Sequence, residues 1–261
     1  MGEICYAPLI DDMTWSYSRV KAFVDCPHRF YLRYICGLKG KDLFFASYGT
    51  FIHRLLALYY SGEKTAGEIT DLYLADLLSS VPGSAPKAQI FSDYFAAGLN
   101  CVQDPPVLPY RPVAIEKKVS FQIGGLPMVG YIDYVGQKND TYAIVDHKSR
   151  KLSPRSQRQK PTARDKELDE YLVQLYLYAA AQEQETGVLP EELCFNCFRS
   201  GLLIRERFDP YAYRAAQDWL CSWVSRIREE SDFPPAMDFF RCQYLCEMQD
   251  ECMYFGLNFR S

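Results

Sequence analysis

The hydrophobic period changes near residue 110, and that change limits the fold more than any other feature of the chain. Upstream, apolar side chains recur at helical spacing: Val20, Phe23, Val24, Phe30, Tyr31 and Tyr34 in residues 16–35, then Phe51, Ile52, Leu55, Leu56 and Tyr59 after Gly49. A third helix is expected over 69–78. Pro27 predicts two helices or a kink in the first stretch, and Gly37 a stop. Downstream, residues 113–123, 128–135 and 142–147 alternate as strands do, with turns at Gly124-Gly125 and at 138–140. A helix over 166–185, a hairpin about Ser200-Gly201 and a helix over 211–228 follow. Helices, then a sheet with helices interleaved, predict an α/β chain.

The second turn fixes a register. With Asn139-Asp140 as a two-residue loop, Lys138 pairs with Thr141, and counting outward brings Asp133 opposite Asp146. Alternation puts Lys148 on the face of Asp146. Facing carboxylates repel, and a divalent cation between them reverses the sign. Hard oxygen donors suit magnesium or manganese. Such a cation can hold a phosphate oxygen and acidify water, while Lys148 offsets charge growing on the phosphate. A surface hairpin with solvated charges is the alternative. Ile132, Ile144 and Val145 favour a buried sheet instead.

Composition enters at the cysteines. The chain has 261 residues and ten cysteines, and Met1 to Met13 do not read as a secretory signal. The expected location is the reducing cytoplasm, where clustered cysteines point to metal or iron–sulfur ligation more than to disulfides. Cys242, Cys246 and Cys252 crowd the C-terminus, and Cys26 lies far upstream. Cys194 and Cys197 fall in a strand, where residues three apart face opposite ways, so they read as packing. Cys5, Cys36, Cys101 and Cys221 have no ligand-like partner. The net charge of −4 excludes a general nucleic-acid coat protein, although not a local basic groove. The run Lys148, Arg150, Lys151, Arg155, Arg158, Lys160, Arg164, Lys166 reads either as a solvated loop or as a DNA-facing segment. Tyr171, Tyr176 and Tyr178 follow it and could stack bases. No phosphate-loop motif and no membrane-spanning run is present.

Together, Gly130-Tyr-Ile-Asp133 and Val145-Asp146-His147-Lys148-Ser149 resemble motifs II and III of RecB-like PD-(D/E)XK nucleases. Gln174-Leu-Tyr-Leu-Tyr178 resembles the family's Gln-x3-Tyr helix, and Gly49-Thr-Phe-Ile-His53 its upstream histidine. Ser16-Tyr-Ser18, Cys26-Pro27 and Phe30-Tyr31 resemble its N-terminal signature. The matches keep the family's order from 16 to 252. The resemblance implies a single nuclease domain over 1–261, with a restriction-endonuclease-like mixed sheet flanked by helices. Its parts would be an N-terminal helical part over about 14–100, a catalytic sheet and helices over about 111–230, and a cysteine clasp over about 238–255 with Cys26.

It further implies His53, Asp133, Asp146 and the backbone carbonyl of His147 as metal ligands, with Lys148 acting on water and phosphate. Gln174 and Tyr178 would support the site. In the basic run, position directly after the catalytic strand makes Arg150, Lys151, Arg155, Arg158 and Lys160 the expected DNA-binding residues. Glu116 is a weaker candidate, read more simply as a solvated strand acid. Iron–sulfur members, such as the AddB nuclease domain and CRISPR-associated adaptation nucleases, hold a 4Fe-4S cluster on one N-terminal and three C-terminal cysteines. Cys26, Cys242, Cys246 and Cys252 match, except that the first C-terminal interval has one extra residue; zinc or plain thiols are the alternatives. The implied activity is cleavage of DNA, at single strands or frayed ends, by an exonuclease with some endonuclease action. The setting would be CRISPR adaptation beside integration proteins, or recombination and repair beside a helicase. A catalytically silent DNA-binding module on the same fold is the rival class.

Overall fold

The computed structural model describes residues 6–257; Cys5 lies outside them. Alternating apolar residues build three consecutive strands, β1 (Arg111–Ile123), β2 (Leu126–Lys138) and β3 (Thr141–His147). Gly124 and Gly125 turn the first hairpin at φ 57° and 78°, in the left-handed region where a side chain is penalised. The second hairpin has Lys138 opposite Thr141 and continues to Tyr134 opposite Val145. That is the register counted from the sequence.

The chain crosses over through α7 (Ala163–Thr186) to β4 (Glu192–Cys197), parallel to β3, and returns as β5 (Leu202–Arg207), antiparallel to β4. Among the described residues the sheet has five strands in the order β1-β2-β3-β4-β5, the mixed sheet flanked by helices that the sequence predicts. Thr162 and Asp165 cap α7 reciprocally, and Gly187 ends it at φ 73°, the usual chemistry of a helix start and stop. One apolar face of the sheet packs with α7 and with α8 (Pro210–Glu229) in the main core. Cys197 joins that core, whereas Cys194 lies in a separate cluster with Tyr110, Tyr134 and Val145. The two cysteines therefore sit on opposite faces, as strand alternation requires.

Upstream of the sheet run α1 (Ala7–Asp11), α2 (Tyr17–Asp25), α3 (Pro27–Phe30) with a π-helical turn at Tyr31–Ile35, α4 (Phe44–Tyr60), α5 (Ala66–Ser80) and α6 (Ala88–Gln103). Cys26, the residue before Pro27, is extended at φ −165° and ψ 106°, because the proline ring disfavours helical geometry there. The predicted break is present. Two expectations need correction. Helix α4 starts at Phe44, so Gly49 lies inside it. Residues 88–103, for which no element is expected from the sequence, form α6, which packs Cys101 and Val102 with Tyr48, Leu55 and Tyr73 in a second core. After α8 the chain ends in α9 (Phe239–Tyr244) and a cysteine-bearing coil. No helix among the described residues is long and apolar enough to cross a membrane.

Candidate active site

Asp133 and Asp146 lie one rung beyond the last bonded pair of the β2–β3 ladder. The strands part there, and the His147 backbone N–H donates to Asp133 Oδ2 at 2.7 Å instead. His53, on α4, brings Nδ1 to 3.4 Å from the same oxygen. Burial opposes charge on both side chains, but each stabilises the other. The Asp133 carboxyl is held at about 2 by His53 and the His147 N–H. Asp133 in turn raises the His53 imidazole to about 9.

Asp146 is almost wholly buried, and burial pushes its carboxyl above the usual range against the pull of Lys148. Its Oδ2 makes no aligned hydrogen bond; the Lys148 ammonium lies 2.8 Å away. Burial works against the Lys148 charge too, and Asp146 more than compensates. Lys148 Nζ also donates to Gln174 Oε1 at 3.2 Å, and Gln174 Nε2 donates to Tyr178 Oη at 3.1 Å. Helical spacing of four puts Gln174 and Tyr178 on one face of α7. Tyr178 reaches the sheet because residue 130 is glycine: a Cβ there would stand 2.5 Å from a Tyr178 ring carbon.

The His147 side chain leaves the other face of β3, with its ring edge-on to His53 at 5.7 Å between centroids. Its ring stacks on Tyr60, burial lowers its pKa to about 4, and Asn196 Nδ2 lies 3.0 Å from its Nδ1. Since an amide nitrogen can only donate, Nδ1 is the acceptor. Glu116 departs from the simple reading. It interrupts β1 at φ 46°, between residues paired with Tyr134 and Ile132, so it sits across from Asp133. His53, Glu116 and Asp133 offer ligand atoms that all lie within 4.8 Å of one another, an acidic site able to hold a metal ion. The Gly124-Gly125 turn contained this signal, because counting outward from it pairs 116 with 133.

The basic segment is less free than a solvated loop. Arg155 is not an idle cation: it pairs with Asp169 at 2.7 Å and with Glu206 at 2.8 Å. Arg150 pairs with Glu167 at 2.5 Å. Asp165 accepts from Ser156 N–H, and Leu152 is buried. Lys151, Arg158 and Lys160 are exposed. Tyr176 and Tyr178 are buried, which removes both from base stacking. Tyr171 stays half-buried, its ring centroid 5.4 Å from Lys148 Nζ.

At the chain ends, Cys26, Cys242, Cys246 and Cys252 line one cavity with Met237, Met248 and Phe255. The Ala236 N–H donates to Cys26 Sγ at 3.4 Å. All four cysteines are free of disulfides.

A protein from Eubacterium rectale, described as a "Putative exonuclease", superposes over 90% of this chain and 88% of its own, with TM-score 0.52 and 13% identity. The structure of SSO0001 aligns over 94% and 87%, with TM-score 0.36 and 15% identity. No curated protein sequence matches the chain. The model of the PD-(D/E)XK nuclease superfamily matches residues 14–253, a span that takes in every residue of the candidate site, and the chain belongs to that superfamily.

Proposed function

We propose that the protein is a metal-dependent deoxyribonuclease that hydrolyses phosphodiester bonds at single-stranded or frayed DNA ends. The observation that carries this reading is the chain Asp146–Lys148–Gln174–Tyr178 set beside the His53–Asp133–Glu116 group. One imidazole and two carboxylates, gathered by His53, Glu116 and Asp133 with ligand atoms within 4.8 Å of one another, fit a hard divalent cation such as magnesium or manganese. The bound cation would polarise the phosphate and generate a nucleophile from water. His147 orients Asp133 through its backbone N–H. Gln174, backed by Tyr178, holds the Lys148 ammonium where negative charge grows on the phosphate.

The clasp is proposed to hold a 4Fe-4S cluster on Cys26, Cys242, Cys246 and Cys252, with zinc as the other occupant. Four thiols around one cavity, one of them accepting a backbone N–H, supply the ligand number that such a cluster needs. The proposed settings are CRISPR adaptation and recombination or repair. End-labelled single- and double-stranded DNA, incubated with manganese, magnesium or chelator, tests the activity. Metal-dependent shortening of single strands is expected. Equal cleavage in chelator would remove the assignment.

A further inference from the structure

A wide basic cleft beside α4 is not formed by the basic segment after β3. It lies between α4 and the clasp, has a volume of about 950 Å3, and is lined by Arg29, Arg33, Lys39, Lys41 and Arg54 against Asp42 and Glu247. Its cations come from the N-terminal helices and the link between them, not from residues 150–160. Helix α4 borders both the cleft and the site: Thr50, one turn before His53, lines the cleft together with Arg54. Nearby, a Cβ at Gly49 would stand 3.9 Å from Ser149 Oγ, so this part of α4 rests on the residue that follows Lys148.

From this we infer that one strand of DNA runs through the α4–clasp cleft into the catalytic group, with Arg33, Lys39 and Arg54 contacting its phosphates. The inference rests on the deoxyribonuclease reading and locates its substrate path. Two observations support it. The cations line one groove, the arrangement that tracks a single backbone. Competing ion pairs are weak at two of the cleft cations: Arg54 meets Asp76 only at 3.5 Å with both half exposed, and Lys41 pairs with an exposed Asp250, while Arg33 is paired with Glu247 but keeps 43% of its side chain exposed. Lys39 is exposed with no partner among the described residues. Glu247 has a different part. It holds Arg29 at 2.8 Å and also pairs with Arg33, so the clasp fixes the far wall of the groove.

The test is binding of a fluorescent single-stranded oligonucleotide in chelator, measured across salt concentrations, with melting temperature as the control of folding. Counterion release from single strands gives a log–log slope of about 0.7 per phosphate contact. The triple variant Arg33→Gln/Lys39→Gln/Arg54→Gln should flatten the slope by about 2 and weaken binding at least tenfold. Arg207→Gln/Arg214→Gln, at exposed positions outside the cleft and the basic run, should match wild type. If the triple variant fails to fold, Lys39→Glu alone, at an exposed position, should still weaken binding and flatten the slope. Unchanged slopes in folded cleft variants of a protein that still cleaves DNA would overturn the cleft and leave the nuclease standing. A wild type that neither binds nor cuts DNA would overturn both.

Discussion

Lys148 and Asp146 form an ion pair with only 18% and 6% of their side chains exposed. Removing one partner of such a pair leaves a charge in a poor solvent, and the cost is several kcal/mol, whereas replacing both is far milder. Lys148→Met should therefore abolish cleavage and also destabilise the metal-free protein by about 3 kcal/mol. The double variant Asp146→Asn/Lys148→Met should recover most of that stability and none of the activity. Urea unfolding in chelator measures it, and equal destabilisation by the single and double changes would refute the buried-pair account. Glu116 makes a separate prediction at this scale. As a neighbour of His53 and Asp133, Glu116→Gln should weaken manganese binding roughly tenfold by calorimetry, in the range of supporting ligands at metal sites. Asp133, Asp146 and Lys148 were legible in the sequence because strand alternation and a two-residue turn are short-range rules. Glu116 was equally accessible to counting from Gly124-Gly125. Its contact with His53 was not, because that depends on how α4 packs over the sheet.

The elements meet at Gly130. Helix α7 can lay Tyr178 against β2 only because no Cβ intervenes, and Tyr178 supports Gln174, which supports Lys148. Gly130→Ala should force the ring aside, cost about 1–3 kcal/mol as overpacking does, and lower kcat with little change in DNA affinity. Fluorescence-detected melting and single-turnover cleavage separate the two effects, and an unaltered kcat in the folded variant would show that the Tyr178–Gln174 support is dispensable. The glycine in the Gly-x-Ile-Asp motif thus has a packing reason that only the structure supplies. The reverse holds for α6: Ile90, Phe91, Tyr94, Phe95, Cys101 and Val102 recur at helical spacing, so the pattern was present in the sequence. The segment following β3 misled for a different reason. Its charges are real, but the acids that answer Arg150 and Arg155 lie on α7 and β5, out of reach of any local reading.

Across the whole molecule, the clasp joins the two ends of the described chain. Without any cluster, it is already docked by polar contacts: Glu247 with Arg29 and Arg33, Asp250 with Lys41, and Arg241 with the Asp25 carbonyl. The extra residue between Cys242 and Cys246 falls where α9 ends at Tyr244, so a chain leaving its helix absorbs it while both thiols still line the cavity. A cluster bridging Cys26 to Cys242, Cys246 and Cys252 would close almost the entire chain into one loop. On the chain-entropy model such a closure stabilises by roughly 5 kcal/mol, equivalent to a melting shift of roughly 10–20 °C for a chain of this size. Protein purified without oxygen should be brown, absorb near ~400 nm and carry about four irons per chain. Cys26→Ser and Cys246→Ser should lose the colour and melt well below wild type, yet remain folded because the largely buried Glu247 still holds Arg29 and Arg33. Cys194→Ser should keep the colour, since that thiol lies in the cluster of Tyr110 and Tyr134 on the far face of the sheet. A colourless preparation with one zinc would replace iron by zinc in the same cavity. A metal-free protein whose cysteine variants melt like wild type would leave the clasp held by Glu247, Asp250 and Arg241 alone.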